Sequence, residues 1–204
     1  MSKTKLKIIN KAVELLNEKG VANVSLMNIA KAAGMSQGNL NYHFKHKSDL
    51  MKAIHQTMVD EMEGVIRPMG LVGLEHFQIA ALHFFRFQEK YRFFFLDTVE
   101  IARTYPDVMT RHTEIVNRRM DEGRALMNYY IGGGWLIPEP ESGIYNTISH
   151  HIWLVNTFWL GMKSMMNNDE KYTKAFIMNM LWTLLKPYFT EKGKIDFEKI
   201  STLS

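Results

Sequence analysis

Apolar residues recur at helical spacing along almost the whole chain, and no segment keeps the strict alternation of a β-strand. The first apolar stripe comprises Leu6, Ile9, Val13 and Leu16, widened by Ile8, Ala12 and Leu15. Lysine and glutamate side chains occupy the opposite face of that segment, as on an amphipathic helix. The pattern therefore predicts an all-α protein that begins with an amphipathic helix.

Glycine and serine positions divide the N-terminal part of the chain into three short helices. Gly20 ends the first helix, and Ser25 is placed to cap the second. Gly34 follows the second helix, and Ser36 can cap a third that runs to about His43. Two helices joined by a glycine-containing turn are the layout of a helix-turn-helix, although any compact helical hairpin could use the same residues.

The remainder of the chain predicts longer helices. One begins near Lys47 and runs to about Arg67, where Pro68 breaks the pattern. Further helical segments cover residues 74–91, 92–105, 106–130, 144–167 and 170–190. A glycine-rich loop at 132–143 interrupts them, and a polar tail ends the chain. The sequence thus predicts a three-helix head and a larger helical body, with about nine helices in all.

Composition narrows the class of protein. Of the 204 residues, 46% are hydrophobic and 23% are charged, as in folded globular proteins. The absence of cysteine excludes disulfides and thiolate metal sites, and it fits a reducing compartment. The most apolar run, residues 152–162, is about half of the roughly 20 residues that span a bilayer, and the N-terminus lacks the apolar region of a secretory signal. We therefore expect a cytoplasmic protein.

Positive charge is concentrated at the N-terminus. Residues 1–50 contain eight lysines against three acidic residues, a net charge of +5, whereas the remaining residues carry −1. A basic head on a neutral body is typical of a protein that binds a polyanion. Both DNA and an anionic membrane surface fit this charge distribution.

The sequence of residues 10–50 is NKAVELLNEKGVANVSLMNIAKAAGMSQGNLNYHFKHKSDL, and it combines several features. They are a small residue in the first helix, a glycine after it, a serine cap, an IA…AG turn and a Y-x-HF-like ending, found at Ala12, Gly20, Ser25, Ile29, Ala30, Gly34 and Leu40 to Lys47. Together they resemble the N-terminal domain of the TetR family of bacterial transcriptional regulators. Residues 91–107, YRFFFLDTVEIARTYPD, are also similar to the regulatory domain of a TetR subgroup.

The resemblance implies a domain organisation and a function. Residues 1–46 would form the helix-turn-helix domain, a helix over 47–67 would link it to the body, and residues 47–204 would bind a ligand and dimerise. The expected protein is a repressor that a small-molecule effector releases from its operator. Its partners would be double-stranded operator DNA, an apolar or amphipathic effector and a second copy of the chain.

The resemblance also implies which residues contact DNA. The third helix of the family enters the major groove, which makes Gln37, Asn39 and Asn41 candidates for reading bases, since amides pair well with adenine. By family position Tyr42 and Lys47 resemble phosphate contacts, and Lys3 and Lys5 are expected to form a flexible arm over the DNA backbone. The full expected set is Lys3, Lys5, Ser25, Ser36, Gln37, Gly38, Asn39, Asn41, Tyr42, His43 and Lys47. Each of them could instead be an ordinary solvated side chain.

Some residues of the head depart from this role or from the family pattern. Leu40 and Phe44 are expected to pack the head. Asn41 stands where most relatives have an aromatic residue, so it could add a base contact. His46 replaces the usual small residue before the linking helix, which predicts a weaker cap there.

The body supplies two further sets of candidates. The expected dimer interface, on the last two apolar helices, comprises Ile152, Val155, Trp159, Met162, Ile177, Leu181, Leu184 and Tyr188. The expected effector pocket comprises Phe77, Phe85, Phe93, Phe95, Met109, His112, Met120 and Met127, and the candidate polar anchors inside it are His83, His112, Asp97 and Glu100. Ordinary core packing is the alternative for both sets, because periodicity does not separate a pocket or interface from a core.

An enzyme is the competing class. His150 and His151 are adjacent and therefore lie on different helix faces, which makes a poor metal site. No HExxH, GxSxG or phosphate-binding glycine loop occurs in the sequence. We therefore expect no catalytic residues, no metal and no cofactor. A ligand- or lipid-binding helical protein with a membrane-touching basic head is the remaining alternative to a DNA-binding regulator.

Overall fold

The computed structural model describes residues 2–66, 73–166 and 170–201. In these ranges it contains eleven α-helices and one 3-10 turn at Lys186–Tyr188. The helices are α1 (Lys3–Lys19), α2 (Leu26–Ala32), α3 (Gln37–His43), α4 (Lys47–Ile66), α5 (Glu75–Lys90), α6 (Arg92–Leu96), α7 (Thr98–Thr104), α8 (Pro106–Gly132), α9 (Ile144–Met166), α10 (Lys174–Leu185) and α11 (Glu191–Ser201). The all-α prediction is confirmed, and no helix within the described ranges is long and apolar enough to cross a membrane.

The chain packs into two compact units. The first unit contains Met1–Val65 and Phe87–Thr113, and the second contains Ile66–Arg86 and Glu114–Ser204. The expected boundary after residue 46 separates a DNA-binding domain from a ligand-binding domain. The packing units do not test that functional division, which stays a prediction. The expected end of the linking helix near Arg67, together with Pro68, lies outside the described residues.

In the first unit, α1 packs against α2 and α6. Its buried residues are Ile8, Ile9, Ala12, Val13 and Leu16. Leu6, expected in the same stripe, is 43% exposed. The buried stripe is centred between Ile9 and Ala12, and Leu6 lies roughly a quarter of a turn from that centre at 3.6 residues per turn. That part of the sequence prediction is therefore wrong.

Local capping forms the ends of α2 and α3 as the sequence predicted. The Ser25 hydroxyl accepts a hydrogen bond from the Asn28 backbone N–H at 3.2 Å, and Asn28 Oδ1 accepts from the Ser25 N–H at 2.9 Å, which completes a capping box. Gly34 has φ 65° after α2, in the left-handed region that glycine tolerates best. Ser36 caps α3 by accepting from the Asn39 N–H at 3.2 Å.

The start of α4 is capped from inside the helix. Asp49 Oδ2 accepts a hydrogen bond from the His46 backbone N–H at 3.0 Å. This is the reciprocal half of a capping box. It partly compensates for the absence of a small polar residue at His46.

The segment expected as one helix over 92–105 is two helices, α6 and α7, divided at Asp97. The backbone there leaves the helical region, with φ −100° and ψ 22°. Phe93, Phe94 and Phe95 are all buried. Three successive buried residues point in different directions around a helix, so this turn is enclosed on several sides, and the chain then changes direction.

The core of the second unit is built by α5, α9, α10 and the C-terminal part of α8. Aromatic pairs join these helices edge to face, with ring centroids 4.8 Å apart for Phe77 and Trp182 and 5.5 Å apart for Phe85 and Trp159. In the loop after α8, Leu136 forms an isolated antiparallel β-bridge with Phe189.

The segment expected as a polar tail forms the helix α11, so that prediction is wrong. Its start is capped by Thr190, whose hydroxyl oxygen accepts from the Gly193 N–H at 3.1 Å. Phe197 packs on Trp182 with centroids 5.1 Å apart, and Ile200 is buried. The segment has too few apolar residues for periodicity to predict a helix. Tertiary contacts at its last two turns stabilise the helix.

Candidate nucleic-acid interface

The short helix α3 exposes nearly all of its polar side chains. Leu40 is fully buried, and Phe44, which follows the helix, is 4% exposed, so these two residues attach α3 to the head as the sequence predicted. The residues exposed along α3 are Gln37, Gly38, Asn39, Asn41 and Tyr42. A helix with one buried anchor and an amide-rich outer surface can present several hydrogen-bonding groups to a groove.

Tyr42 is the most exposed large aromatic residue of the described chain, at 85%. Its ring contacts that of the half-buried His43 edge to face, with centroids 5.2 Å apart. A phenol in this position has an accessible hydroxyl that can donate to a phosphate oxygen.

The two lysines expected to form an arm at the N-terminus lie in the first turn of α1. Ser2 caps this helix by accepting from the Lys5 N–H at 3.3 Å. The Lys5 ammonium lies 5.7 Å from the centre of the Phe44 ring, so α1 places it beside the C-terminal end of α3. Lys3 and Lys5 are both exposed and extend the positive surface next to α3.

Ser25 and Ser36 are exposed, but their hydroxyl oxygens already accept hydrogen bonds within the head. The Ser25 hydroxyl also donates to Asn28 Oδ1 at 2.7 Å. Both hydroxyls therefore act first as helix caps.

Lys47 is engaged inside the head. Its ammonium donates a hydrogen bond to the Val21 carbonyl oxygen at 2.5 Å, and the residue is half-buried. Burial lowers the pKa of Lys47, and nearby Glu100 opposes that shift. The phosphate contact expected of Lys47 would have to use another of the three N–H donors of the ammonium.

Sequence reasoning missed the residues that hold the turn between α1 and α2. Asp97 Oδ2 accepts from the Val21 backbone N–H at 2.7 Å. Asn17 contacts the same region, donating to the Lys90 carbonyl at 2.8 Å and accepting from the Phe93 N–H at 3.0 Å. No signal in the sequence indicates bonds between residues more than 70 positions apart.

The residues expected to form an effector pocket are divided between the two units. Those in the first unit are Phe93, Phe95, Met109 and His112, and those in the second are Phe77, Phe85, Met120 and Met127. The phenylalanines and Met127 are buried, whereas Met109, His112 and Met120 are half-buried. Of the expected polar anchors, Asp97 accepts a hydrogen bond from the Val21 N–H, and Glu100 accepts one from the Thr104 hydroxyl at 2.8 Å.

His112 forms a pair with His55 inside the first unit. The atoms His55 Nε2 and His112 Nδ1 are 3.4 Å apart, and Phe94 stacks on His55 with ring centroids 5.6 Å apart. Burial lowers the pKa of each histidine to about 4, with further lowering by Arg111 at His55 and by His55 at His112. Both imidazoles are therefore neutral at neutral pH.

The residues expected at a dimer interface have two kinds of environment. Trp159, Ile177 and Leu181 are at most 3% exposed and pack in the core of the second unit. They hold that core together and offer no surface to a partner. The other five are half-buried: Ile152, Val155, Met162, Leu184 and Tyr188.

A different face of α9 is apolar and exposed. Leu154 is 45% exposed, Phe158 49% and Met165 81%, and their spacing places them on one side of the helix. On α10 the half-buried residues Phe176 and Met180 lie one turn apart. Large apolar side chains exposed together are typical of an interaction surface.

Comparisons with known proteins agree with this description. A family model described as bacterial regulatory proteins of the tetR family matches residues 8–54, and one described as a bacterial transcriptional repressor matches residues 57–197. The HTH-type transcriptional regulator AcrR of Shigella flexneri is 45% identical over 51 residues, which are 25% of this chain and 24% of AcrR. The match thus spans about a quarter of that relative's length.

Solved structures share the fold over nearly the full length. A TetR-family transcriptional regulator from Marinobacter aquaeolei VT8 is 26% identical with a TM-score of 0.83, covering 99% of this chain and 97% of that one. The structure of a SmeT–triclosan complex is 20% identical with a TM-score of 0.65, covering 93% of both chains. The similarity to the SmeT structure shows a shared fold and nothing further.

Proposed function

Because the chain belongs to the TetR family of bacterial transcriptional regulators, we propose that it binds operator DNA through α3 and regulates transcription. The observation that carries this proposal is the exposed amide and phenol surface of α3, seated by a single buried leucine, Leu40. The net charge of +5 over residues 1–50 supports it, since DNA attracts such a surface.

Within this proposal the exposed side chains divide by task. Gln37, Asn39 and Asn41 read base edges, because an amide can both donate to and accept from adenine. Tyr42 and Lys5 contact phosphates, which position the protein without selecting a sequence. Lys3, Ser25, Ser36, Gly38 and His43 are the further DNA contacts in this proposal.

The regulator acts as a homodimer in this proposal. The exposed stripe of Leu154, Phe158 and Met165 on α9 pairs with its copy, and the half-buried residues Leu184 and Tyr188 extend the interface. Two-fold symmetry would place two α3 helices about one turn of DNA apart, roughly 34–36 Å. The operator is then pseudo-palindromic.

The proposed regulation is release of a repressor by an effector in the cytoplasm. The effector is small and apolar or amphipathic, and it shifts the population towards a form with lower operator affinity. The repressor description of the matching family model and the ligand in the SmeT complex support this proposal. The mechanism requires no cofactor and no catalytic step.

Selection of DNA from a random pool, followed by affinity measurements at several salt concentrations, tests the proposal. We expect selected palindromes to bind more tightly than random DNA, and affinity to fall as salt rises. Gln37→Ala should relax the choice of bases, whereas Tyr42→Ala should weaken binding to selected and random DNA alike. Asn128→Ala, an exposed amide on α8, is the matched control and should change neither. A wild-type protein without salt-dependent DNA binding would refute the function.

A further inference from the structure

Val21, in the turn between α1 and α2, has both of its backbone polar groups held by distant side chains. Its N–H donates to Asp97 Oδ2 at 2.7 Å, and its carbonyl oxygen accepts from the Lys47 ammonium at 2.5 Å. Its side chain is 1% exposed. The anionic Asp97 thus bonds the N–H of Val21, and the cationic Lys47 bonds its carbonyl oxygen. We name Asp97, Val21 and Lys47 the Val21 clamp.

The geometry around the Val21 clamp is specific. Gly20 has φ 78°, which directs the chain towards Asp97, and a Cβ added there would lie 3.3 Å from the Asp97 carboxylate. Asp97 is itself held, because its N–H donates to the Phe93 carbonyl oxygen at 2.8 Å. The carboxylate therefore approaches Val21 from a fixed position at the junction of α6 and α7.

Asn17 makes a second attachment between α1 and the same part of the chain. Its side-chain amide donates to the Lys90 carbonyl and accepts from the Phe93 N–H, at 2.8 and 3.0 Å. Both halves of the amide are used, so its orientation is determined. Together, Asn17 and the Val21 clamp join the beginning of the helix-turn-helix to residues 90–97 and to the first residue of α4.

Hydrogen bonds that involve a charged group are stronger than neutral ones. Loss of the bond to Asp97 or of the bond to Lys47 would leave a partly buried backbone group of Val21 unpaired. For Lys47 to contact a phosphate, its ammonium would have to leave the Val21 carbonyl or use another of its three N–H donors from the same half-buried position. The half-buried position of Lys47 favours retention of the internal bond.

We propose that Asp97 and Lys47 are positioning residues for DNA recognition, which orient α2 and α3 by holding Val21 from both sides. Lys47 acts through Val21 and not on a phosphate. This inference rests on the proposed DNA-binding function. In this proposal operator affinity depends on the contact between the α1–α2 turn and the α6–α7 junction, although neither Asp97 nor Lys47 touches DNA.

The salt dependence of operator binding distinguishes positioning from phosphate contact at Lys47. Lys47→Met keeps an unbranched side chain as far as Cε and removes the ammonium. We expect it to weaken operator binding about tenfold with an unchanged slope of affinity against salt. Lys5→Met is the matched control, and each phosphate contact that it removes should reduce the slope by about 0.9. An equal reduction in Lys47→Met would overturn the assignment of Lys47.

Substitutions at Asp97 test the other side of the Val21 clamp. Asp97→Ala removes the acceptor and should weaken operator binding about tenfold. Asp97→Asn keeps an oxygen acceptor at the same position and should restore most of the affinity. Because both residues hold Val21, the double variant Lys47→Met/Asp97→Ala should lose less than the product of the single effects. Independent, multiplicative effects would contradict a shared role.

The amide proton resonance of Val21 reports the hydrogen bond directly, even for a variant with altered stability. In Asp97→Asn it should move upfield because the charged acceptor is gone, while amide resonances of α9 stay in place. An unmoved Val21 resonance would overturn the clamp. If wild-type protein fails to bind DNA, the proposed function fails; if it binds and these variants bind equally well, only the positioning role fails.

Discussion

The buried histidine pair makes the stability of the first unit sensitive to mild acid. His55 is 4% exposed, and its Nε2 lies 3.4 Å from Nδ1 of His112. Both rings also contact Phe94, which leaves little room for water around a charged imidazole. Arg111 repels a proton on His55, as a proton on either ring repels one on the other. We predict that the folded protein loses stability as these residues are forced to take up protons.

The direction and size of the effect follow from the two pKa values. Each falls from 6.5 to about 4 in the folded protein, so the unfolded chain binds more protons between these limits. Stability is fully present above pH 6.5 and is lost as the pH falls towards 4. Between pH 7 and pH 5, one such histidine lowers the free energy of unfolding by about 2 kcal/mol. The pair contributes less than twice that, because repulsion from a protonated His55 is part of the shift at His112.

Urea unfolding followed by helical circular dichroism, at pH 7 and pH 5 and at one protein concentration, measures this loss. His55→Gln removes one titrating group and should reduce the loss between the two pH values by about half. His151→Gln, which replaces an exposed histidine on α9, is the matched control and should behave as wild type. Parallel pH dependence in wild type and His55→Gln would refute the reasoning, as would a wild-type protein that is equally stable at both pH values.

Three further predictions concern stability and can be checked by urea unfolding at pH 7. Gly193→Ala should destabilise the protein by about 3 kcal/mol, because the added Cβ would lie 2.2 Å from the Trp135 carbonyl oxygen. Gly123→Ala, in the middle of α8, should instead stabilise by up to about 1 kcal/mol, because the new Cβ would have no atom within 4 Å apart from the adjacent residues and the helix's own backbone. Ser25→Ala should cost about 1 kcal/mol through loss of the capping box with Asn28; unchanged stability would show that the cap is dispensable.

The helix-turn-helix could be predicted almost completely from the sequence. Its signals are local: Ser25 and Ser36 cap helices within three residues, and Gly34 supplies a backbone conformation that other residues avoid. The exposure of the α3 amides could be expected too, because Leu40 is the one strongly apolar residue among them. The fold class follows from the same kind of short-range periodicity.

The body could be predicted less well, because periodicity shows that a residue is apolar without showing what covers it. On α9 the predicted interface stripe includes Trp159, which faces the core, while Phe158 beside it is half exposed. The helix α11 escaped prediction, since Phe197 becomes informative only once Trp182 is beside it.

The sequence by itself determined α1 to α3, the caps of α2 and α3 and the composition of the α3 surface, since each depends on residues within one or two turns. Only the tertiary structure decided that Lys47 holds the Val21 carbonyl and that Asp97 holds its N–H. These bonds span 26 and 76 positions of the chain, and the side chains that make them carry no local mark of their partner. The physical reason is that a polar group is satisfied by whatever the fold brings within about 3 Å of it, and that distance is set by packing of the whole unit.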